Sequence, residues 1–300
     1  MFCASSAEQL PWKKQKLLDI HQALNCDPVD IETLRRAAAS EGGLLTDDIR
    51  RKVWPKLLSV NVYSLPAKPS KDVREDHKDY RQVVLDVRRS MRRFPKGMRV
   101  DEREVLQEQL IDIILDVLRR NPQLHYYQGY HDLVVTFLLV VGERMTIAIM
   151  EKLSNHHLRD FMDPTMDNTK HILNYLMPIL ERVDRELHDF MIRSEVGTIF
   201  ATLSLSLSLS HSLSPSLSLS PSLSPSLSLS LSLSPPLQIV LYRQKEVKSS
   251  ECDMASVHHL LSQMPQDLPY EDLIGRAQKL FISCPPSLMT QSAALQSCNM

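Results

Sequence analysis

The chain has 300 residues, 43% of them hydrophobic and 24% charged, the make-up of an ordinary globular protein long enough to bury a substantial core. Its 35 basic and 36 acidic residues leave a net charge of -1, which argues against a general binder of nucleic acid or of acidic membranes. Five scattered cysteines, Cys3, Cys26, Cys252, Cys284 and Cys298, argue against a disulfide framework, and the seven glycines form no phosphate-cradling loop, which argues against a nucleotide site of its own.

Taken from the N-terminus, residues 1–42 read as a helical extension, with apolar spacing that predicts one helix over 10–24 and another over 31–39. Next comes Gly43-Leu44-Leu45, then Arg50-x-x-x-Trp54-Pro55-x-x-Leu58, which sets Arg50 and Trp54 on one face of a helix. Tyr80, Val83, Val84, Val87 and Met91 fit a helix over 77–94, whose second half carries the basic cluster Arg88, Arg89, Arg92 and Arg93. Asp101 with Glu104 has the form of a capping box and Val100 with Val105 that of a hydrophobic staple. Leu106, Leu110, Ile113, Ile114, Val117 and Leu118 then make a wide apolar stripe, which Asn121-Pro122 ends. Pro122 puts Gln128 in a loop or at the start of the next helix, Gly129 lets the backbone turn there, and 133–141 reads as a buried helix.

Two short polar motifs flank the helix that ends at Asn121. The first is Val83-x-x-Asp86-x-x-Arg89 and the second Tyr127-Gln128-Gly129. Each alone has a plain structural reading: Arg89 as one solvated arginine among several, and Tyr126, Tyr127 and Tyr130 as core or turn aromatics with Gln128 beside them. Together, and in this order, they resemble the TBC domain family, which accelerates GTP hydrolysis by Rab GTPases. The motif 43–58 and the stretches 162–168, 183–200 and 239–281 resemble the same family, which is all-α.

The resemblance implies a Rab-family small GTPase in its GTP-bound form as partner, with GTP and Mg held by that partner and no cofactor in this chain. It implies Arg89 as a charge-stabilising finger, Gln128 as a water-positioning finger, Asp86 as the residue that orients Arg89, and Tyr127, Gly129 and Asp132 as shapers of the Gln128 loop. Arg50 and Trp54 take structural roles. The chemistry suits these residue types. Phosphoryl transfer needs charge neutralised and a water held in line; a guanidinium fork matches phosphate oxygens, and an amide offers the water an acceptor. An arginine supplied in trans is worth roughly 10³ to 10⁵ in rate.

Residues 203–237 break the pattern, being almost entirely Leu and Ser with occasional Pro. The family has helices with aromatic residues at this place, whereas the two tryptophans here are Trp12 and Trp54. The expected organisation is therefore an extension at 1–42, a TBC domain over 43–202 with both fingers, a low-complexity tract at 203–237, a domain remnant at 238–282 and a disordered tail at 283–300. Losing several helices removes many side chains, each worth about 1.5 to 3 kcal/mol when buried, from a net stability of about 5 to 15 kcal/mol. Besides the activator reading there stand a non-catalytic Rab-binding module and an unstable product.

The remaining candidates are weaker. His156, His157, Asp160, Asp163 and His171 match no zinc spacing and read as exposed helix residues, with no metal expected; Cys252, His258 and His259 lack the context of a nucleophile. No signal peptide is apparent, and 133–141 is too short to cross a bilayer, which takes about 18 or more apolar residues. The member of the family that the motifs most resemble normally ends in a hydrophobic membrane anchor, whereas this sequence reaches Met300 through a polar tail. The expectation is a cytoplasmic protein without a transmembrane segment, with peripheral association at endoplasmic reticulum or Golgi membranes implied only by the resemblance.

Overall fold

The computed structural model describes residues 11–69, 74, 76–89, 94, 97–165, 167, 170, 173–198, 237, 240–262 and 270–283. The tract at 203–236 and the tail at 284–300, together with Met91, Arg92, Arg93 and His171, lie outside the described residues. Every regular element within them is helical, in agreement with the all-α expectation.

Helices α1 (Pro11–Asn25) and α2 (Ile31–Ala39) pack against each other, and α2 packs on α3 (Asp47–Leu57). Asp30 caps α2 by accepting from Thr33 N, and Thr46 caps α3 by accepting from Ile49 N, so each start satisfies an otherwise orphaned amide. Ile20, Leu34 and Ala38 join the same core as Trp54 and Phe137, so the extension shares one interior with the central helices. Trp54 is 3% exposed and meets Phe137 edge-on at 5.0 Å between ring centroids. Arg50 instead pairs with Asp47 at 2.7 Å in the first turn of its own helix.

Helix α4 (Tyr80–Arg89) and helix α5 (Val100–Arg120) form the centre with α6 (Tyr130–Val141) and α7 (Glu143–Asn155). The stripe predicted for α5 is buried over Leu110–Leu118, and burial extends all round, taking in Asp112 and Asp116. Both acids have partners: Arg74 bonds to Asp112 and Glu108, and Arg120 to Asp116 at 2.8 Å.

The start of α5 differs from expectation. Its N-cap is Arg99, whose guanidinium has no acceptor for a cap bond, and Asp101, already inside the first turn, is held by that guanidinium at 2.7 and 3.0 Å. Val100 and Val105 are 67% and 59% exposed, so no hydrophobic staple forms.

After a short 3-10 turn at Arg159–Phe161 a second cluster begins. It is built by α8 (Leu176–Val183), α9 (Arg185–Arg193), α10 (Gln244–Ser249) and α11 (Met254–Ser262), through Leu176, Leu180, Leu187, Val247 and Val257 among others. Helix α12 (Tyr270–Ser283) comes last and touches the cluster through Leu280.

Candidate functional site

Helix α4 places the first motif. Val83 and Val87, one turn apart, are fully buried, and Gln107 of α5 donates to the Val87 carbonyl at 3.3 Å, which holds the last turn in place. Asp86 shares this inner side and is 5% exposed. Arg89 ends the helix, exposed, with no hydrogen bond or ion pair to any described residue.

The loop between α5 and α6 places the second motif. Asn121 turns the chain by donating to the Val117 carbonyl at 2.8 Å, and its own oxygen accepts from Asn155 at 2.8 Å. His125 N donates to the Met162 carbonyl at 2.8 Å, and Tyr126 N to the Asp79 carboxylate at 3.3 Å. Gly129 then adopts φ +101°, a left-handed conformation that a side chain would strain, and becomes the N-cap of α6. Gln128 sits at the turn just before it, exposed and without a hydrogen bond to any described residue.

One side chain joins the two motifs. The Tyr126 hydroxyl donates to Asp86 Oδ2 at 3.0 Å and lies 2.7 Å from His131 Nδ1, while Gln82 donates to Asp86 Oδ1 at 2.9 Å. Burial, reinforced by the Asp86 carboxylate, pushes the Tyr126 phenol far above its ordinary range, so it stays protonated and able to donate. The role that the resemblance implies for Asp86, orienting Arg89, is not seen as a direct bond between the two. The acceptor oxygens of Asp86 are taken by Gln82 and Tyr126, and no ion pair links it to Arg89 among the described residues.

The tyrosine beside it behaves differently. Tyr127 has a buried hydroxyl with no partner, and its ring meets Tyr130 at 5.7 Å and Phe161 at 6.2 Å. These ring contacts fix the residue that precedes Gln128. Tyr130 is fully buried and shares a 2.8 Å hydrogen bond with Ser154. Asp132, in the first turn of α6, donates its backbone N–H to the Gly129 carbonyl at 3.0 Å, and a carboxylate there favours the positive end of the helix.

Sequence reasoning missed Tyr126, Gln82, Asp79 and His131 as parts of the site. The signal for Tyr126 was its spacing two residues before Gln128, but three tyrosines within five residues hide which one turns toward α4. Elsewhere, the described residues hold no group of three or more His, Cys, Asp or Glu able to bind a metal ion. His157 and Asp163 are not exposed helix residues: Asp163 is bound by Arg159, and His157 has a buried Nδ1 without a partner. No helix among the described residues is long and apolar enough to cross a membrane.

The chain is similar to known proteins in sequence and in fold. The Rab-GTPase-TBC domain family matches over residues 47–220. The chain is 62% identical over 286 residues to human (Homo sapiens) TBC1 domain family member 20, covering 95% of this chain and 71% of the relative. It is 27% identical over 183 residues to the GTPase-activating protein gyp10 of Schizosaccharomyces pombe, covering 61% of this chain and 48% of the relative. Its fold matches the crystal structure of the Ypt/Rab-GAP domain of Gyp1p with a TM-score of 0.65 at 16% identity, covering 90% of this chain and 97% of that one.

Proposed function

The chain belongs to the Rab-GTPase-TBC domain family, and from that premise we propose that it is a GTPase-activating protein for a Rab-family GTPase in membrane trafficking, acting on the GTP-bound form through two side chains supplied in trans. Arg89 neutralises charge on the transferred phosphoryl group, and Gln128 holds the attacking water. GTP and Mg belong to the partner.

The observation that carries this reading is the Asp86–Tyr126–His131 connection. It ties the last turn of α4 to the loop before α6, so that two exposed side chains without described partners project from mutually fixed supports. A cation and an amide without a partner among the described residues remain available to a second protein. Fixing them beforehand lowers the ordering cost when the complex forms. The connection also gives Asp86 a concrete role: it positions the finger segment through Tyr126.

The test is single-turnover GTP hydrolysis by the partner. Arg89→Ala and Gln128→Ala should each lower the stimulated rate at least about tenfold, with helical content unchanged. Arg89→Lys should also be poor, because a point charge lacks the bidentate fork. Near-normal stimulation by either alanine variant overturns the two-finger mechanism. Tight binding without stimulation by the unaltered chain would instead identify a non-catalytic binding module.

A further inference from the structure

The Tyr126 hydroxyl has a second partner that the motifs do not contain. A phenol has one hydrogen to donate and lone pairs to accept with. That hydrogen goes to Asp86 Oδ2 at 3.0 Å. The remaining contact, 2.7 Å to His131 Nδ1, is a hydrogen bond only if the imidazole carries the hydrogen and the phenol oxygen accepts it. His131 is 8% exposed, and its Nε2 lies 3.7 Å from Asp132 Oδ1. The ring thus has the Tyr126 hydroxyl within hydrogen-bond distance on one side and the Asp132 carboxylate beyond that distance on the other, and it lies nearly parallel to the Tyr126 ring, with a 27° interplanar angle.

Topology gives this bond a second consequence. Tyr126 and His131 bracket the turn that carries Gln128, so their contact closes that turn from the inside while Gln128 stays exposed at its outer edge. The same phenol reaches α4 through Asp86. One imidazole N–H therefore bears on both supports at once: it closes the Gln128 turn directly, and it commits the Tyr126 proton to the helix that ends in Arg89.

We propose that His131 is a positioning residue for GTPase activation, whose Nδ1–H locks Tyr126 so that the Gln128 turn and the Arg89 helix keep a fixed separation. The proposal rests on Arg89 and Gln128 being the two fingers. It predicts that the requirement at position 131 is for a donor at the Nδ1 position and not for an imidazole as such. Asparagine meets it, because its side-chain N–H occupies the place of Nδ1; leucine keeps bulk and offers no donor.

The experiment uses the full chain and a Rab GTPase loaded with GTP. His131→Asn should retain wild-type kcat, whereas His131→Leu should lower kcat roughly 10- to 100-fold, the scale of a small misplacement of catalytic groups, with KM for the GTPase little changed. In a Tyr126→Phe background, His131→Leu should cause no further loss. Nitrogen-15 NMR of histidine-labelled chain should show Nδ1 of His131 carrying a hydrogen, with its resonance shifted by Tyr126→Phe.

Equal impairment of the asparagine and leucine variants overturns the proposal, as does wild-type kcat for His131→Leu when Arg89→Ala is inactive. An unprotonated Nδ1 overturns it whatever the kinetics. Full stimulation by Arg89→Ala would refute the finger reading instead, and the NMR result then decides the lock by itself. If His131→Leu does not fold, the asparagine variant and the wild-type spectrum carry the test.

Discussion

Removing the hydroxyl of Tyr126 deprives Asp86 of a donor at a position where water does not replace it, since Asp86 is 5% exposed. Hydrogen bonds to charged groups contribute about 1.5 to 3 kcal/mol, so Tyr126→Phe should lower the melting temperature and also the stimulated hydrolysis rate. The same change at the next residue has the opposite sign. The Tyr127 hydroxyl is buried without a partner, and Tyr127→Phe removes an unpaired polar group while keeping the ring that packs on Tyr130 and Phe161. Its melting temperature should equal or exceed that of the parent; a fall in Tyr127→Phe matching that in Tyr126→Phe would show that the two tyrosines have been assigned the wrong roles. A third residue sets a pH dependence. Burial, with His156 and Lys152 adding to it, holds the His157 imidazole below its ordinary pKa of 6.5. The unfolded chain then binds a proton at a pH where the folded chain does not, so stability is fully present above about 6.5 and falls as pH drops below it. His77 is depressed in the same direction, chiefly by burial. Thermal melts between pH 7 and 5.5 should show a decline that is shallower in His157→Gln, and an unaltered slope would mean that His157 plays no part in it.

Among the helices, α5 makes the sharpest demand on its neighbours, because Asp112 is 6% exposed and is held by Arg74, contributed by the segment before α4. Taking away one member of such a pair leaves a buried charge uncompensated, at about 3 to 5 kcal/mol. Arg74→Met should therefore be strongly destabilising in urea denaturation, and adding Asp112→Leu should recover most of the loss. No recovery in the double variant would mean that Arg74 acts through something other than the pair. Helices such as this were readable from spacing: Leu110, Ile113, Ile114, Val117 and Leu118 mark the buried face, and α2 spans Ile31–Ala39 as its pattern predicts. The start of α5 was not readable, because the helix begins at Val100, ahead of the capping pattern, which puts Asp101 inside the first turn and bound to Arg99. In the site, the exposed positions of Arg89 and Gln128 were legible from local signals, a helix end and a turn before a glycine. The partner of Asp86 was not, since a bond across 40 positions of sequence leaves no periodicity to detect. The motif spacing placed Asp86 near Arg89 along the helix, and packing turned it to the interior.

Among the described residues, most of the buried hydrophobic side chains fall into two clusters, one spanning Ile20 to Met162 and the other Leu173 to Leu261. The loop that carries Gln128 touches the boundary between them: His125 N bonds to the Met162 carbonyl at 2.8 Å, and the Tyr127 ring lies 6.2 Å from Phe161, which itself packs on the second cluster. Support for the second cluster is thus support for the Gln128 turn. The Leu/Ser tract at 203–237 interrupts the sequence that builds this cluster, between α9 and α10, and only Leu237 of it is described, where it is 1% exposed within the cluster. Each large side chain that a helical segment buried there would add contributes about 1.5 to 3 kcal/mol. Replacing the tract with family-like amphipathic helices should therefore raise the melting temperature. Because the second cluster backs Phe161, the replacement should also raise the stimulated rate of Rab GTP hydrolysis, and Phe161→Ala should cancel the gain in rate while leaving most of the gain in melting temperature. Equal melting temperatures and equal rates for the parent and the replaced chain would make the tract a tolerated insertion. The link drawn from the second cluster through Phe161 to Gln128 would then have no energetic content.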